Sequence, residues 1–305
     1  MRLLDAVGRH PRLAALMGAL FIAFSGIFYR LAGEAPATAT VFRCLYGLPI
    51  LVAIGIVELR RYGPLPASTV RLAALAGVFF AADLMFWHHA IEAVGAGLST
   101  VLGNLQVLVV GVFAWIVFGE RPSRAIFAAL PIVLLGVVLI SGAVGAGAYG
   151  ADPTLGVVLG ILTAFAYSGY LIVIRRGGGR DPRRPAGPVA IATASTAFVA
   201  LLVGLGFDGI DLVPSWPSHG WLAAYGVTSQ SLGYLLIALS LPRLPALVTS
   251  IILLVQPVAT VLLGMVLLAE APSLAQLVGV ALVVGGLAVA TVPVARLRNT
   301  ARQAA

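Results

Sequence analysis

With 60% apolar and 10% charged residues over 305 positions, the chain carries more hydrophobic side-chain surface than a water-soluble fold can bury. Its formal net charge of +8 comes from arginine alone, since the sequence has no lysine. In so apolar a chain, where each arginine falls says more than the nucleic-acid-binding reading of a basic excess, which is set aside. The single cysteine, Cys44, excludes an internal disulfide framework and a thiolate metal cage.

In chain order, Arg2, Arg9 and Arg12 precede an apolar run, as in a signal peptide. The run continues for a full span with no small-residue cleavage site after it, so it reads as a first membrane helix. A helix rising 1.5 Å per residue needs about 20 mostly apolar residues to cross a hydrocarbon core. Breaking the apolar runs at charge clusters and Pro/Gly joints predicts ten such spans: 13–32, 38–57, 72–91, 98–118, 124–141, 156–174, 190–207, 220–241, 247–268 and 274–294. The fold class expected is an all-α membrane protein, and no joint is long enough for a soluble domain.

The arginines alternate. They lie in the N-terminal segment, in the second joint (Arg60, Arg61, Arg71), the fourth (Arg121, Arg124), the sixth (Arg175, Arg176, Arg180, Arg183, Arg184), the eighth (Arg243) and the tail (Arg296, Arg298, Arg302). The odd joints instead carry Glu92, Asp152, Asp208, Asp211 and Glu270, although Arg30 lies near the end of the first span. Positive residues stay on the cytoplasmic side, which predicts both termini in the cytoplasm.

Sliding the chain by 150 residues lays Gln106 on Gln256, Glu120 on Glu270, Pro122 on Pro272, Ser123 on Ser273, Ala125 on Ala275 and Gly136 on Gly286. Ser25-Gly26 resembles Ser168-Gly169 at a slightly different offset. Five spans per half is an odd number, so the two halves are expected to enter the membrane in opposite directions. Inverted repeats of this kind are a recurrent plan of secondary transporters, with a site near the midplane. The expected organisation is a cytoplasmic segment 1–12, a first repeat 13–141, a periplasmic linker 142–155, a second repeat 156–294 and a cytoplasmic tail 295–305.

The run Phe86-Trp87-His88-His89-Ala90-Ile91, then Gly95 to Val107 with Asn104 and Gln106, then Gly119-Glu120-Arg121-Pro122, resembles the EamA-type transporters of the drug/metabolite transporter superfamily. So do Arg43 and a second copy from Gln256-Pro257 to Glu270-Ala271-Pro272, with Val107 replacing the proline in the first copy. The resemblance implies two five-helix units and the export or exchange of metabolites, amino acids among them.

A charge at the centre of a span costs about 2.5–3.5 kcal/mol on insertion scales, so each one needs a reason. Asp83 is the deepest acid. It reads either as a carboxylate binding a proton or a substrate amine, or as a structural partner of Arg43. Trp87 follows one turn later on the same face, as a cavity wall or an interfacial anchor. Gln106 and Gln256 form a repeat-related pair that can bind solute or tie helices together. Gln230 lies in the polar run Thr228 to Ser231, expected to face protein or water. Tyr167, Tyr170 and Tyr234 have hydroxyls that want partners, and Tyr167 and Tyr234 join the candidate lining. His88 and His89, adjacent on a helix, point about 100° apart and do not suit one metal ion, though either can line an outer cavity. Glu120 and Glu270, each before a proline joint, are read as shaping that joint. The run Gly177 to Gly179 lacks the ending of a P-loop, so no nucleotide drive is expected.

The function expected is a secondary transporter of small organic solutes across the inner membrane. Its cavity is lined by helices 1, 3, 4, 6, 8 and 9, with Asp83, Trp87, Gln106, Gln256, Tyr167, Gln230 and Tyr234 as substrate-binding residues. No cofactor or metal is called for; the partners are a solute and the bilayer, with a proton as the candidate coupling ion. A passive pore of the same fold and an intramembrane enzyme using Asp83 and His88 are the alternatives.

Overall fold

The computed structural model describes residues 10–119, 124–144, 147–178, 184–240, 244 and 252–291. Among them every regular element is helical. Numbered as continuous rods, α1 is Pro11–Ala32, α2 Pro36–Tyr62, α3 Ala67–Val94, α4 Ala96–Val117, α5 Arg124–Ile140, α6 Pro153–Gly177 and α7 Ala186–Asp208. The rod α8 joins Ser218–Tyr225, Gly226–Gly233 and Tyr234–Ser240; α9 is Val255–Leu267 and α10 Leu274–Thr291. The first four rods, α6 and α7 are long and apolar enough to cross a membrane, and α5, α9 and α10 are shorter apolar helices. Side chains such as Ile116, Phe127, Phe198 and Val266 point outward from the bundle, as lipid-facing residues do.

Several helices extend past the apolar span that marks them in the sequence. The span 38–57 becomes Pro36–Tyr62, and 72–91 becomes Ala67–Val94. Hydropathy marks only the hydrocarbon layer, whereas the helix continues into the interface. There Pro36 suits a first turn, and Arg60 and Arg61 suit the negative end of the dipole.

Four rods are interrupted. The first bends at Phe24, α4 at Asn104 and Leu105, and a bend at Leu254 precedes α9, while α8 widens into a π-helical stretch over Gly226–Gly233. At the α4 break the Leu105 amide donates to the Leu102 carbonyl at 3.0 Å, three residues back instead of four. Breaks of this kind free backbone groups from the regular helix ladder and bend the rod. Positions 104 and 254 are equivalent under the 150-residue shift.

The packing is the same when the halves are exchanged. Helix α3 lies on α6 and α1 on α8; α2 lies on α7, α4 on α9 and α5 on α10. The last crossing is the most direct case. A Cβ on Gly136 would meet Val283 Cγ2 at 2.8 Å, and a Cβ on Gly286 would meet Val133 Cγ2 at 2.6 Å. Each contact is the 150-residue image of the other, which is the signature of a two-fold relation. Only glycine permits that approach, and the core of Leu98, Leu102, Val133, Ile140, Val283 and Leu287 closes around it.

Acidic side chains tie helix starts across the halves. Glu58, at the end of α2, accepts from the Ala186 and Gly187 amides at 3.0 and 2.9 Å, capping α7. Its equivalent Asp208, at the end of α7, accepts from the Ala37 amide at 3.0 Å, capping α2. Glu270 accepts from the Ala96 and Gly97 amides at 2.5 and 3.0 Å, capping α4. Gly95 makes that cap possible, turning α3 into α4 at φ +88° where a Cβ would meet Glu270 Oε1 at 2.9 Å. Glu120, the repeat mate of Glu270, lies outside the described residues, as do residues 179–183 of the 177–188 joint.

Candidate functional site

The breaks in α1 and α4 and the bend before α9 surround a cavity of about 200 Å³. It is lined by α1, α3, α4, α6, α8 and the start of α9, together with Arg43 from α2. Both halves contribute. At roughly 30 Å³ per water molecule the space would hold about seven waters, the scale of a small metabolite.

Asp83 lines it from the middle of α3 and is 6% exposed. Its carboxylate forms no hydrogen bond or ion pair with any described residue. Arg43, the partner considered from sequence, is engaged elsewhere. Its Nε donates to Gln230 Oε1 at 2.8 Å and its Nη1 to the Tyr225 hydroxyl at 2.7 Å. Its Cζ lies 4.6 Å from the centroid of the Tyr225 ring, a cation–π geometry. The two opposite charges share the cavity without direct contact.

Behind Arg43 the polar groups run in one direction. Tyr225 accepts from Arg43 and so donates to His88 Nε2 at 3.0 Å, which leaves the imidazole proton on Nδ1 for Thr40 Oγ1 at 3.0 Å. Thr40 in turn donates to the Pro36 carbonyl at 2.8 Å. His88 is fully buried and stacked on Tyr29 at 4.2 Å. It therefore belongs to the wall, and both its nitrogens are occupied. His89 lies at the end of α3, 3.0 Å from Asp208 and 3.5 Å from Glu92. No group of three His, Cys, Asp or Glu side chains among the described residues is arranged to hold a metal.

Six of the seven residues singled out from sequence line this cavity: Asp83, Trp87, Gln106, Gln256, Tyr167 and Tyr234. Gln230 does not. It is 1% exposed and spans from Arg43 to Thr193, to which its Nε2 donates at 2.9 Å, so it orients the guanidinium from behind. Gln106 and Gln256 reach the cavity from equivalent positions, and neither side-chain amide bonds a described residue. Tyr167 stacks on Tyr170 at 5.6 Å, and Phe80 stacks on Tyr170 at 4.8 Å and meets Tyr234 edge-on at 5.6 Å. The result is an aromatic wall facing the charges. Phe165, by contrast, is 48% exposed on the outside of α6.

Sequence reasoning missed two hydroxyls. Ser25 Oγ and Thr163 Oγ1 are buried, line the cavity and have no hydrogen-bond partner among the described residues. A serine or threonine in an apolar helix commonly bonds the carbonyl four residues back, as Ser168 does to Ala164 at 2.6 Å. Nothing in the sequence distinguishes the two that do not, although Ser25 sits in the Ser-Gly pair that marks the repeat. Asn104, at the α4 break, also lines the cavity, with its Nδ2 donating to the Thr100 carbonyl at 2.8 Å.

A helical bundle with outward apolar faces and a central, mainly apolar cavity into which both halves place a few polar and charged side chains has the form of a multi-pass membrane protein. The pattern of the EamA-like transporter family matches the chain twice, over residues 12–142 and 154–292, and the chain belongs to that family. No curated protein matches it. Among solved structures, one described only as the crystal structure of a protein is similar to it. That chain is 24% identical with a TM-score of 0.63, covering 93% of this chain and 98% of its own, a likeness of fold. Membership implies a small-molecule solute and a lipid surround.

Proposed function

We propose that the protein is a secondary transporter that moves a small organic solute across the inner membrane by alternating access between two inverted five-helix repeats. On this reading the ten rods are ten spans, the repeats are 13–141 and 156–294 joined by a periplasmic linker at 142–155, and both termini lie in the cytoplasm. The observation that carries it is the cavity itself, lined from both halves at the breaks of α1 and α4 and beside the bend that precedes α9. Two-fold related contacts such as Gly136 on Val283 and Gly286 on Val133 support an exchange of roles between the halves. An odd number of spans per half turns that two-fold into an inversion. The arginine-bearing ends of α2 and α6, with Arg60, Arg61, Arg175 and Arg176, support the cytoplasmic assignment.

The enclosed arrangement of His88, with both ring nitrogens bonded inside the wall, favours transport over intramembrane acid–base chemistry. Counterflow in proteoliposomes tests the reading. A library of labelled metabolites is supplied outside vesicles loaded with the same unlabelled compounds. A carrier gives saturable uptake with a transient overshoot for at least one of them. Linear, non-saturable flux without overshoot would mean a passive pore.

A further inference from the structure

We propose that the cavity selects an organic ammonium ion, held by Asp83 against the aromatic wall, with the uncharged polar end of the solute received by Ser25, Thr163, Gln106 and Gln256. The inference names the solute of the transport reading, but the binding it describes does not depend on movement across the membrane. The charges on the page decide the sign. Arg43 is committed to α8, with Nε on Gln230, Nη1 on Tyr225 and its face on the Tyr225 ring. Asp83 has no such commitment: its carboxylate is buried, borders the cavity and is unmatched by any described donor. A buried carboxylate without a partner is costly to maintain, and a ligand cation placed there removes that cost.

The surroundings fit an ammonium better than a bare inorganic cation. Trp87 lies one helical turn from Asp83, and Tyr167 and Tyr234 border the same space, which places aromatic rings beside the carboxylate. Apart from Asp83 and the engaged Arg43, the polar groups of the lining carry no charge. Ser25 Oγ and Thr163 Oγ1 are buried, and neither they nor the Gln106 and Gln256 amides have a partner among the described residues. Hydroxyls and amides of this kind take a hydroxyl or amide on the solute, and they offer no second charge to an anion. The volume of about 200 Å³ limits the solute to metabolite size.

The test uses the purified full-length protein in lipid nanodiscs and three probes that share one ring and one hydroxyl: tyramine, tyrosol and 3-(4-hydroxyphenyl)propionate. Equilibrium binding is expected for tyramine, with tyrosol and the anion at least about tenfold weaker, the loss expected when a hydrogen bond to a charged group is removed. Asp83→Asn should bring tyramine down to the tyrosol level, and Asp83→Glu should retain the preference, which covers the case in which the amide variant does not fold. Preference for the anion, equal binding of all three, or no binding of tyramine would overturn the proposal. A counterflow solute that is not a cation would overturn it too, while leaving the transport reading intact. Tyramine bound with the expected preference, in a protein that counterflows nothing, would uphold this site and defeat the transport reading instead.

Discussion

Asp83 on α3 has Gly233 as its counterpart on α8 under the 150-residue shift; Arg43 on α2 has Thr193 on α7, and Phe80 has Gln230. The scaffold behaves differently. Glu58 and Asp208 each cap the helix that carries the other, Gly136 and Gly286 open the same crossing from both sides, and the interruptions at 104 and 254 coincide. The frame is therefore doubled, while the charged chemistry of the cavity is single. On the proposed reading, a two-fold frame would exchange its two access states with the same contacts, and a lone carboxylate would give the solute one anchor in both.

The non-equivalent positions are also linked. Thr193 bonds Gln230, and Gln230 bonds Arg43, so the second half supplies the neutral support for a cation carried by the first. The largest expected effect comes from breaking that support. Arg43→Met leaves the Gln230 carbonyl oxygen and the Tyr225 hydroxyl without their donor, and it should cost about 1–3 kcal/mol of stability for each buried group so stranded. Thermal unfolding in detergent measures it, and a midpoint equal to that of the parent would mean the network carries no weight.

Glu270→Gln comes next. The amide keeps one oxygen for the Ala96 and Gly97 amides but turns its own donors toward them, a loss of about 1–2 kcal/mol. If Glu270 were a solvated surface acid, the same experiment would return no change. Smaller still is the coupling between Asp83→Asn and Arg43→Met. With no direct contact between the two groups, a double-mutant cycle should give an interaction below about 1 kcal/mol; a larger value would restore the structural ion pair considered from sequence. The smallest stability effect is expected at Gln106→Ala and Gln256→Ala, within about 0.5 kcal/mol each because neither amide holds another described group. Both should nevertheless lower solute flux, and unchanged flux in both would remove them from the site.

Much of this was legible in the sequence because the membrane imposes simple rules. Apolar length marks the rods, and a Glu-x-Pro-Ser joint recurring at a fixed offset marks the repeat. Asp83 and the paired glutamines drew attention since polar groups in hydrocarbon need a reason. What was not legible depends on rotation about helix axes. Gln230 and Tyr234 lie four residues apart on a rod that widens into π geometry, and that widening changes which side chains share a face, so one is behind the wall and the other on it. The breaks at Phe24 and Asn104 have no proline to announce them. Glu270 was correctly placed at a joint, yet the helix start it caps is 173 and 174 residues away in sequence and visible only in three dimensions.

Alternating access is tested most directly by reaching the cavity from each side. Cys44, buried and outside the cavity lining, is replaced by serine, and Gln256→Cys provides a single thiol on the lining. Membrane-impermeant thiol reagent is then applied to right-side-out and to inside-out vesicles. The account expects labelling from both sides, with saturating solute slowing both. Labelling from one side only, unchanged by solute, would contradict it.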